Sequence, residues 1–406
     1  MHTKDYIKNS QDNMIPKLTG RDIICISSMP YHGMWTRKQR LMTLLAEKGN
    51  RVLYVEPANP VIGKQGDKGR LRCEVERVSE NLNLIKPVGR FPLARFGFIR
   101  ELNLSLYANS IMRTAMEFGL DDPIIFTYLP VLNAHSPFSK LLNLLRDLAP
   151  SLVIYDCVDE HSETIGYSSE AAELVHRWDI ELTEDADIVF VTAQGLYNDR
   201  KTYNPNLHYS PNGVDVAHFS KARLKTTEIP SDLAAISEPR IGFVGSLSDW
   251  IDYELISEVA KRYPDYNIVL VGPVKRGMDI PELRNLPNVY LLGKKSPDEL
   301  PRYLKGFDCA INPFKRVGIT EKVNPLKVYE YLAAGVPVVS INMPEIMHLE
   351  DAIYIAHNDG EFLEGVDMII KKQFNPDERK IKTVLENHDW NKIFNDLVER
   401  VAELVD

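Results

Sequence analysis

Short apolar runs rich in β-branched residues alternate with longer amphipathic segments, and this alternation restricts the possible folds more than any other feature. Such runs are typical of buried parallel strands, and the amphipathic segments between them provide the crossover helices. In the first half, the pattern predicts strands at 22–27, 51–56, 124–128, 152–156 and 188–192. In the second half, it predicts strands at 241–244, 267–271, 289–292, 310–312 and 336–340. The sequence therefore predicts two doubly wound α/β domains.

The length of 406 residues also favours two domains, because single cores rarely grow beyond about 250–300 residues. The polar stretch 219–239 contains Pro230 and Pro239, which is typical of a linker. We predict an N-terminal domain over 1–218, a C-terminal domain over 240–388 and a terminal helix within 389–406. This amphipathic helix can pack on either domain. Ligands of doubly wound sheets bind beyond the carboxyl ends of the strands, so the two domains should share a cleft.

Composition excludes several classes of function. A net charge of −9 excludes an overall basic nucleic-acid-binding footprint. The four cysteines have no C-x-x-C spacing and no nearby histidine cluster, which argues against structural zinc and a disulfide framework. Residues 1–20 lack the apolar core of a signal peptide, and no apolar run approaches the roughly 18 residues of a membrane span. We expect a cytoplasmic chain whose membrane contact is at most peripheral.

The segment 324–339 (NPLKVYEYLAAGVPVV) predicts a helix that runs into a buried strand. Asn324 suits the N-cap, and Gly335 suits the left-handed residue that ends a helix. Lys327 lies in the first turn, where a cation is unfavourable unless an anion occupies the helix N-terminus. Glu330 follows on the same face, and its carboxylate can accept both hydroxyls of a ribose. An exposed Lys–Glu pair on a surface helix explains the spacing equally well.

Three segments resemble those of glycosyltransferases with the GT-B architecture. Residues 324–339 resemble the donor-binding signature, in which the glutamate, here Glu330, binds the nucleotide ribose. Residues 210–215 (SPNGVD) are similar to the segment that closes the N-terminal domain, and 242–247 (GFVGSL) to the strand and phosphate loop that open the C-terminal domain. The resemblance implies two Rossmann-like domains and a nucleotide-sugar donor, by analogy a UDP-sugar. The donor-binding residues that it implies are Gly245, Ser246, Gly293, Lys294, Asn324, Lys327 and Glu330.

The chain departs from that family in two places. Val323 stands where many retaining members carry a further glutamate, so the resemblance does not fix the stereochemistry. The phosphate loop lacks the usual arginine after Gly245 and the following lysine. Lys327 would supply the missing charge, with Lys315, Arg316 and Lys322 as weaker candidates.

The run 153–161 (VIYDCVDEH) places three acids and a histidine at the carboxyl end of a predicted strand. Glycosyl transfer needs a base for the acceptor hydroxyl. In teichuronic-acid and exopolysaccharide glycosyltransferases, which this chain resembles, a comparable loop holds an aspartate base. That resemblance favours Asp159, then His161, then Asp156. Alternatively, these aspartates only cap the next segment.

Two arginine-containing segments remain open to two interpretations. Arg37 and Arg40 would contact an acidic or phosphorylated acceptor, or they form the solvated face of a helix. The segment 90–100 (RFPLARFGFIR) would contact an anionic membrane or a lipid-linked acceptor, or it forms a buried phenylalanine cluster with a basic rim.

The tripeptide 185–187 (DAD) precedes a predicted strand, so we interpret it as a helix end rather than a metal site. We therefore expect transfer without a metal.

The resemblance implies a glycosyltransferase of hexosyl or glucuronosyl type, without a cofactor, in cell-surface polysaccharide biosynthesis. The expected acceptor is a saccharide or a lipid-linked molecule, and nucleic acid is not an expected partner. The alternatives are a nucleotide-sugar epimerase of the same architecture and a non-catalytic binding subunit. A nicotinamide dehydrogenase is disfavoured because no G-x-G-x-x-G follows a strand.

Overall fold

The computed structural model describes residues 18–33, 35–57, 72–94, 96–132, 136–163 and 168–405. The strands are β1 (Asp22–Ile26), β2 (Arg51–Val55), β3 (Glu74–Arg77), β4 (Leu82–Lys86), β5 (Ile124–Thr127), β6 (Val131–Leu132), β7 (Ser136–Pro137), β8 (Leu152–Cys157), β9 (Ile188–Val191), β10 (Leu207–Tyr209), β11 (Arg240–Val244), β12 (Asn267–Val271), β13 (Val289–Gly293), β14 (Cys309–Asn312), β15 (Val338–Ile341) and β16 (Tyr354–Ala356). They form two α/β domains, each built around a largely parallel sheet.

The α-helices are α1 (Arg37–Glu47), α2 (Gly97–Glu117), α3 (Phe138–Leu144), α4 (Ser169–Asp185), α5 (Gln194–Arg200), α6 (Val216–Phe219), α7 (Ser231–Ala234), α8 (Tyr253–Arg262), α9 (Leu300–Leu304), α10 (Gly318–Glu321), α11 (Leu326–Ala334), α12 (Asp359–Ile370), α13 (Glu378–Asn387) and α14 (Trp390–Val405). None of the described helices has both the length and the apolar character that a membrane crossing requires.

The N-terminal sheet has the strand order β10-β9-β8-β5-β1-β2-β4-β3. All neighbours are parallel except β3 and β4 at one edge. The chain builds outward from β1 through β2 on one side, then crosses to β5 on the other. The carboxyl ends of β1 and β5 therefore form a topological switch point, where a ligand crevice is expected.

The C-terminal sheet repeats this arrangement, with the order β13-β12-β11-β14-β15-β16 and parallel pairing throughout. Its switch point lies between β11 and β14. The carboxyl end of β11 carries Val244 and Gly245, the start of the predicted phosphate loop.

The ten strands predicted from the sequence all occur, with ends that differ by two residues or fewer. Helix α11 begins at Leu326, one residue later than predicted, because Pro325 rather than Asn324 is the N-cap. Gly335 ends this helix with φ +79°. The strands β3, β4, β6, β7, β10 and β16 were not predicted. All of them except β4 lie at sheet edges or are only two residues long, so their hydrophobic patterns are weak.

The C-terminal helix α14 packs on the N-terminal domain. Its apolar face, which includes Phe394 and Leu397, joins the core that contains strands β1, β5 and β9. The preceding residues pair with the segment that leaves the N-terminal domain, because Val214 N donates to His388 O at 2.7 Å. Gly213 fits here because a Cβ at this position would lie 2.8 Å from the Trp390 ring. The chain thus crosses between the domains twice.

The predicted linker 219–239 is packed rather than extended. Leu233 and Ile236 are buried in the core of the C-terminal domain. Arg223, in a short 3₁₀ turn, donates to the carbonyls of Leu332 and Ala333 at the end of α11. The segment therefore belongs structurally to the C-terminal domain.

Arg37 joins three parts of the N-terminal domain. Its side chain is only 3% exposed, and its Nε donates to Asp156 Oδ2 at 2.8 Å, at the end of β8. Its two terminal nitrogens donate to Pro211 O at 2.9 Å and Ser210 Oγ at 2.8 Å, just after β10. A buried guanidinium needs such partners, because an unpaired buried charge is strongly destabilising.

The packing of α14 predicts that Phe394→Ala lowers the free energy of unfolding by about 3–5 kcal/mol, because it leaves a cavity in the N-terminal core. Leu404→Ala, an exposed position on the same helix, should cost less than about 1 kcal/mol. Urea unfolding measures both. Equal losses would contradict the assignment of the buried face.

The Arg37–Asp156 pair predicts that Arg37→Met lowers the free energy of unfolding by about 3–5 kcal/mol, because Asp156 is left as an uncompensated buried charge. The matched control is Arg40→Met, which removes a half-exposed pair with Asp215 and should cost less than about 1 kcal/mol. Chemical denaturation of the two variants checks the difference. An Arg37 variant as stable as the Arg40 variant would refute this role.

Candidate functional site

A cavity of about 490 Å³ lies between the two domains, where the carboxyl ends of the two sheets face each other. The N-terminal domain contributes the β1–α1 loop and the start of α1, including Trp35, Thr36 and Arg40. The C-terminal domain contributes the loops after β11, β12 and β13 and the first turn of α11. The volume lies within the range of small-molecule sites.

Four of the seven predicted donor-binding residues line this cavity: Gly245, Lys294, Lys327 and Glu330. Lys327 Nζ donates to Glu330 Oε2 at 2.9 Å, as their spacing predicts. Both side chains are largely buried, with 16% and 7% exposure. This excludes the alternative of a freely exposed surface pair. The first turn of α11 has no acidic residue, so N–H groups at this helix N-terminus can donate to a bound anion.

Lys294 supplies a second cation. It is exposed and, within the described residues, has no ion-pair or hydrogen-bond partner. Its Nζ lies 4.0 Å from the position that a Cβ would take at Gly33, in the opposite domain. The lysine therefore reaches across the cleft.

Gly272 is a site residue that sequence reasoning missed. It follows β12, has φ +154°, and a Cβ here would lie 1.7 Å from Gly245 O. Only glycine permits this approach of the two loops, and both glycines line the cavity. The tripeptide 271–273 (VGP) directly after an apolar run was the available signal.

The remaining predicted donor residues do not line the cavity. Ser246 Oγ is hydrogen-bonded to Ser248 Oγ at 2.9 Å. Gly293 is exposed beside Lys294, with φ +70°. Asn324 lies at the domain interface, where its carbonyl accepts from Asn212 Nδ2 at 3.0 Å.

The two predicted acceptor-side arginines have different surroundings. Arg40 lines the cavity, pairs with Asp215 at 2.8 Å and lies over the Trp35 ring. Arg37 is fully engaged in the buried network described above. Arg37 is therefore neither a solvated helix residue nor an exposed acceptor contact, because its donors are used within the fold.

Asp159 and His161 follow β8 at the same carboxyl edge, but neither lines the cavity. Asp159 is exposed, whereas His161 is half-buried. Burial lowers the pKa of His161, partly opposed by the charges of Asp179 and Asp159, so the neutral imidazole is favoured. Asp156, the third candidate, is completely buried beside Arg37 and is not accessible to an acceptor.

Lys38 was missed by sequence reasoning. It is only 7% exposed, and its Nζ lies 5.2 Å from the centre of the Tyr128 ring. It has no ion-pair or hydrogen-bond partner among the described residues. Burial lowers its pKa, and the charges of Asp159 and Asp156 partly oppose this effect. Lys38 therefore places a cation at the β1–β5 switch point, on the side of the cleft where Asp159 lies.

The weaker phosphate candidates have other contacts. Lys322 pairs with Asp199 at 2.8 Å and with Glu160 and Glu163 at 3.4 Å, all in the N-terminal domain. Arg316 pairs with Asp359 at 2.7 Å, and Lys315 does not line the cavity.

Glu345, in the C-terminal domain, also contacts the N-terminal domain. This buried carboxylate accepts from the Gln194 N–H and from Tyr209 Oη. Together with Lys322, it joins the two domains outside the cavity.

Asp185 is the last residue of α4, as the sequence predicted, and Asp187 accepts from Val153 N at 2.7 Å. No group of three or more potential metal-ligating side chains was found within the described residues.

Comparisons with known proteins support the same fold. Residues 238–372 match the family of glycosyl transferases group 1. TuaH of Bacillus subtilis (strain 168), named as a teichuronic acid biosynthesis glycosyltransferase, is 27% identical over 263 residues. That match covers 61% of this chain and 66% of TuaH, just under two thirds of its length.

Two solved structures extend the likeness to nearly the whole chain. Sucrose-phosphate synthase from Thermosynechococcus elongatus superposes with a TM-score of 0.70 at 15% identity, over 95% of this chain and 99% of that one. Anabaena Alr3699/HepE, determined in complex with UDP, gives 0.61 at 14% identity, over 94% and 100%. The chain therefore has the GT-B fold, and its residues 238–372 match a domain of the glycosyl transferases group 1 family.

Proposed function

We propose that this protein is a glycosyltransferase that moves a sugar from a UDP-sugar to a saccharide or lipid-linked acceptor in cell-surface polysaccharide biosynthesis. We further propose that transfer needs no metal and takes place in the cytoplasm, at the inner face of the membrane. The observation that carries the proposal is the cavity in which Glu330, Lys327, Lys294 and the Gly245 loop meet.

The donor would bind mainly to the C-terminal domain. Glu330 has a carboxylate within the cavity and would accept the ribose hydroxyls. The diphosphate would bind near Lys327, Lys294 and the free N–H groups of the first turn of α11, where the helix dipole favours an anion. The touching backbones of Gly245 and Gly272 leave room for a phosphate to approach closely. The UDP bound by the structurally similar HepE supports the choice of nucleotide.

The acceptor would bind on the N-terminal side. Asp159 would take the proton of the acceptor hydroxyl as its oxygen attacks the anomeric carbon, with His161 as the second candidate. The bond from the anomeric carbon to the diphosphate breaks, and Lys327 and Lys294 stabilise the charge that develops on the leaving UDP. Strand β8 lies two strands from β1, which corresponds to about 10 Å. This spacing leaves room for an acceptor between Asp159 and the cavity.

The ribose assignment predicts that Glu330→Gln weakens UDP binding by roughly 10- to 100-fold, the value of a hydrogen bond to a charged group. Isothermal titration calorimetry with UDP measures the change. The control is Glu258→Gln, an exposed acid on α8 outside the cavity, which should leave the affinity unchanged. A folded Glu330 variant with wild-type affinity would show that the ribose lies elsewhere.

The base assignment predicts that Asp159→Asn lowers kcat by roughly 100-fold or more, while UDP affinity is retained. Asp147→Asn, an exposed acid before β8 at the opposite edge of the sheet, is the control. Turnover is followed as UDP release from a UDP-sugar with and without saccharide acceptors. UDP binding without turnover in the wild type would instead indicate a binding subunit, and acceptor-free conversion to another UDP-sugar would indicate an epimerase.

A further inference from the structure

The segment 90–102 exposes large apolar side chains on the N-terminal domain. Phe98 is 72% exposed, Leu93 57% and Phe96 45%, and Phe91 and Leu102 are also exposed. This excludes the buried phenylalanine cluster that the sequence allowed. Arg95, within this segment, lies outside the described residues. Contiguous exposed apolar groups of this kind mark interaction surfaces.

The backbone that carries these side chains is well anchored. Asn103 accepts from Phe91 N at 2.7 Å and donates to Phe91 O at 3.1 Å, which fixes the start of the segment against α2. Phe96 N donates to Leu93 O at 3.0 Å, and the rings of Phe96 and Phe98 lie 6.3 Å apart. Phe96 is the N-cap of α2 and Phe98 lies in its first turn, so the helix positions both rings.

The segment carries more basic than acidic residues. Residues 90–102 contain Arg90, Arg95 and Arg100 and one acid, Glu101, which pairs with Lys140. This contrasts with the net charge of −9 on the chain. An anionic surface would repel most of the protein and attract this region, so the charge distribution also sets an orientation.

The position of the segment relates it to the site. It connects the end of β4 to the start of α2, at the same carboxyl edge of the N-terminal sheet as the cavity. Strand β4 lies two strands from β1, whose following loop lines the cavity. A flat surface that contacts residues 90–102 would therefore lie beside the acceptor side of the cleft.

We propose that residues 90–102 dock the protein on an anionic lipid bilayer, with the exposed phenylalanines and Leu93 in the interfacial region and the net positive charge of the segment attracted to the lipid phosphates. This orientation would bring the headgroup of a lipid-linked acceptor to the cleft, a consequence that rests on the proposed glycosyltransferase function. A symmetric contact with a second copy is disfavoured, because it would bring two basic rims together. Interfacial segments that bind anionic membranes combine aromatic and basic residues in this way.

Vesicle co-sedimentation with matched variants of the full chain tests the proposal. The variant Phe96→Ser/Phe98→Ser alters side chains that are 45% and 72% exposed. The control Met116→Ser/Phe118→Ser alters side chains that are 73% and 41% exposed, at the other end of α2. Vesicles are phosphatidylcholine alone or with about 30% phosphatidylglycerol. We expect the wild type and the control to bind the anionic vesicles, and the Phe96/Phe98 variant to bind about tenfold more weakly or worse. Binding to phosphatidylcholine alone should be weak for all three.

Equal losses in the two double variants, no binding by the wild type, or equal binding to neutral vesicles would overturn the proposal. A wild-type dimer in light scattering that the Phe96/Phe98 variant abolishes would also overturn it and assign the surface to a second copy. If the double variant does not fold, Phe98→Ser alone provides the same comparison. UDP affinity of the same preparations separates the two proposals, because the vesicle result does not depend on the donor site. If the wild type binds anionic vesicles but does not bind UDP, only the proposed function is refuted.

Discussion

The buried guanidinium of Arg37 is the contact on which the geometry of the cleft depends. A charge that is 3% exposed must find partners inside the fold, and this one donates hydrogen bonds to Asp156, Ser210 and Pro211. These partners hold helix α1 against the end of β8 and against the chain segment that leaves the N-terminal domain. Arg40, one turn further along α1, then pairs with Asp215 in the same segment. The acceptor-side wall of the cavity and the crossing between the domains are thus positioned together.

The second chain segment that crosses between the domains is the one that leads into α14. The residues before α14 pair with Val214, and α14 then packs on the N-terminal core, so the domains are joined by two adjacent chain segments. On the other side of the interface, Lys322 and Glu345 form polar bridges between the domains. Although burial acts to raise the pKa of Glu160, the nearby Arg200, with Ser162 and Lys322, holds it at about 2. Glu160 therefore stays ionised at neutral pH, which keeps its bridge to Lys322 charged.

The proposed activity divides between the two domains for a physical reason. The C-terminal half contains the groups suited to a nucleotide diphosphate: a helix N-terminus, two lysines, two touching glycines and a carboxylate. The N-terminal half carries the buried Lys38, the exposed Asp159 and the segment 90–102, which exposes apolar side chains and has a net positive charge. A nucleotide suits the first set of groups. A saccharide attached to a lipid suits the second set of groups, because the protein must lie against the bilayer to reach the lipid headgroup.

The sequence by itself determined ten of the strands, including most of the two sheet centres, and the shared helix face of Lys327 and Glu330. These features depend on local periodicity, and Gly335 ends the helix through a conformation that glycine adopts readily. Only the tertiary structure decided that Arg37 is a buried structural residue, since its partner Asp156 lies 119 positions away. The same holds for the contact between Gly245 and Gly272 and for the burial of Lys38 beside Tyr128. Each depends on which strand ends become neighbours when the sheets form, and local sequence patterns do not encode that arrangement.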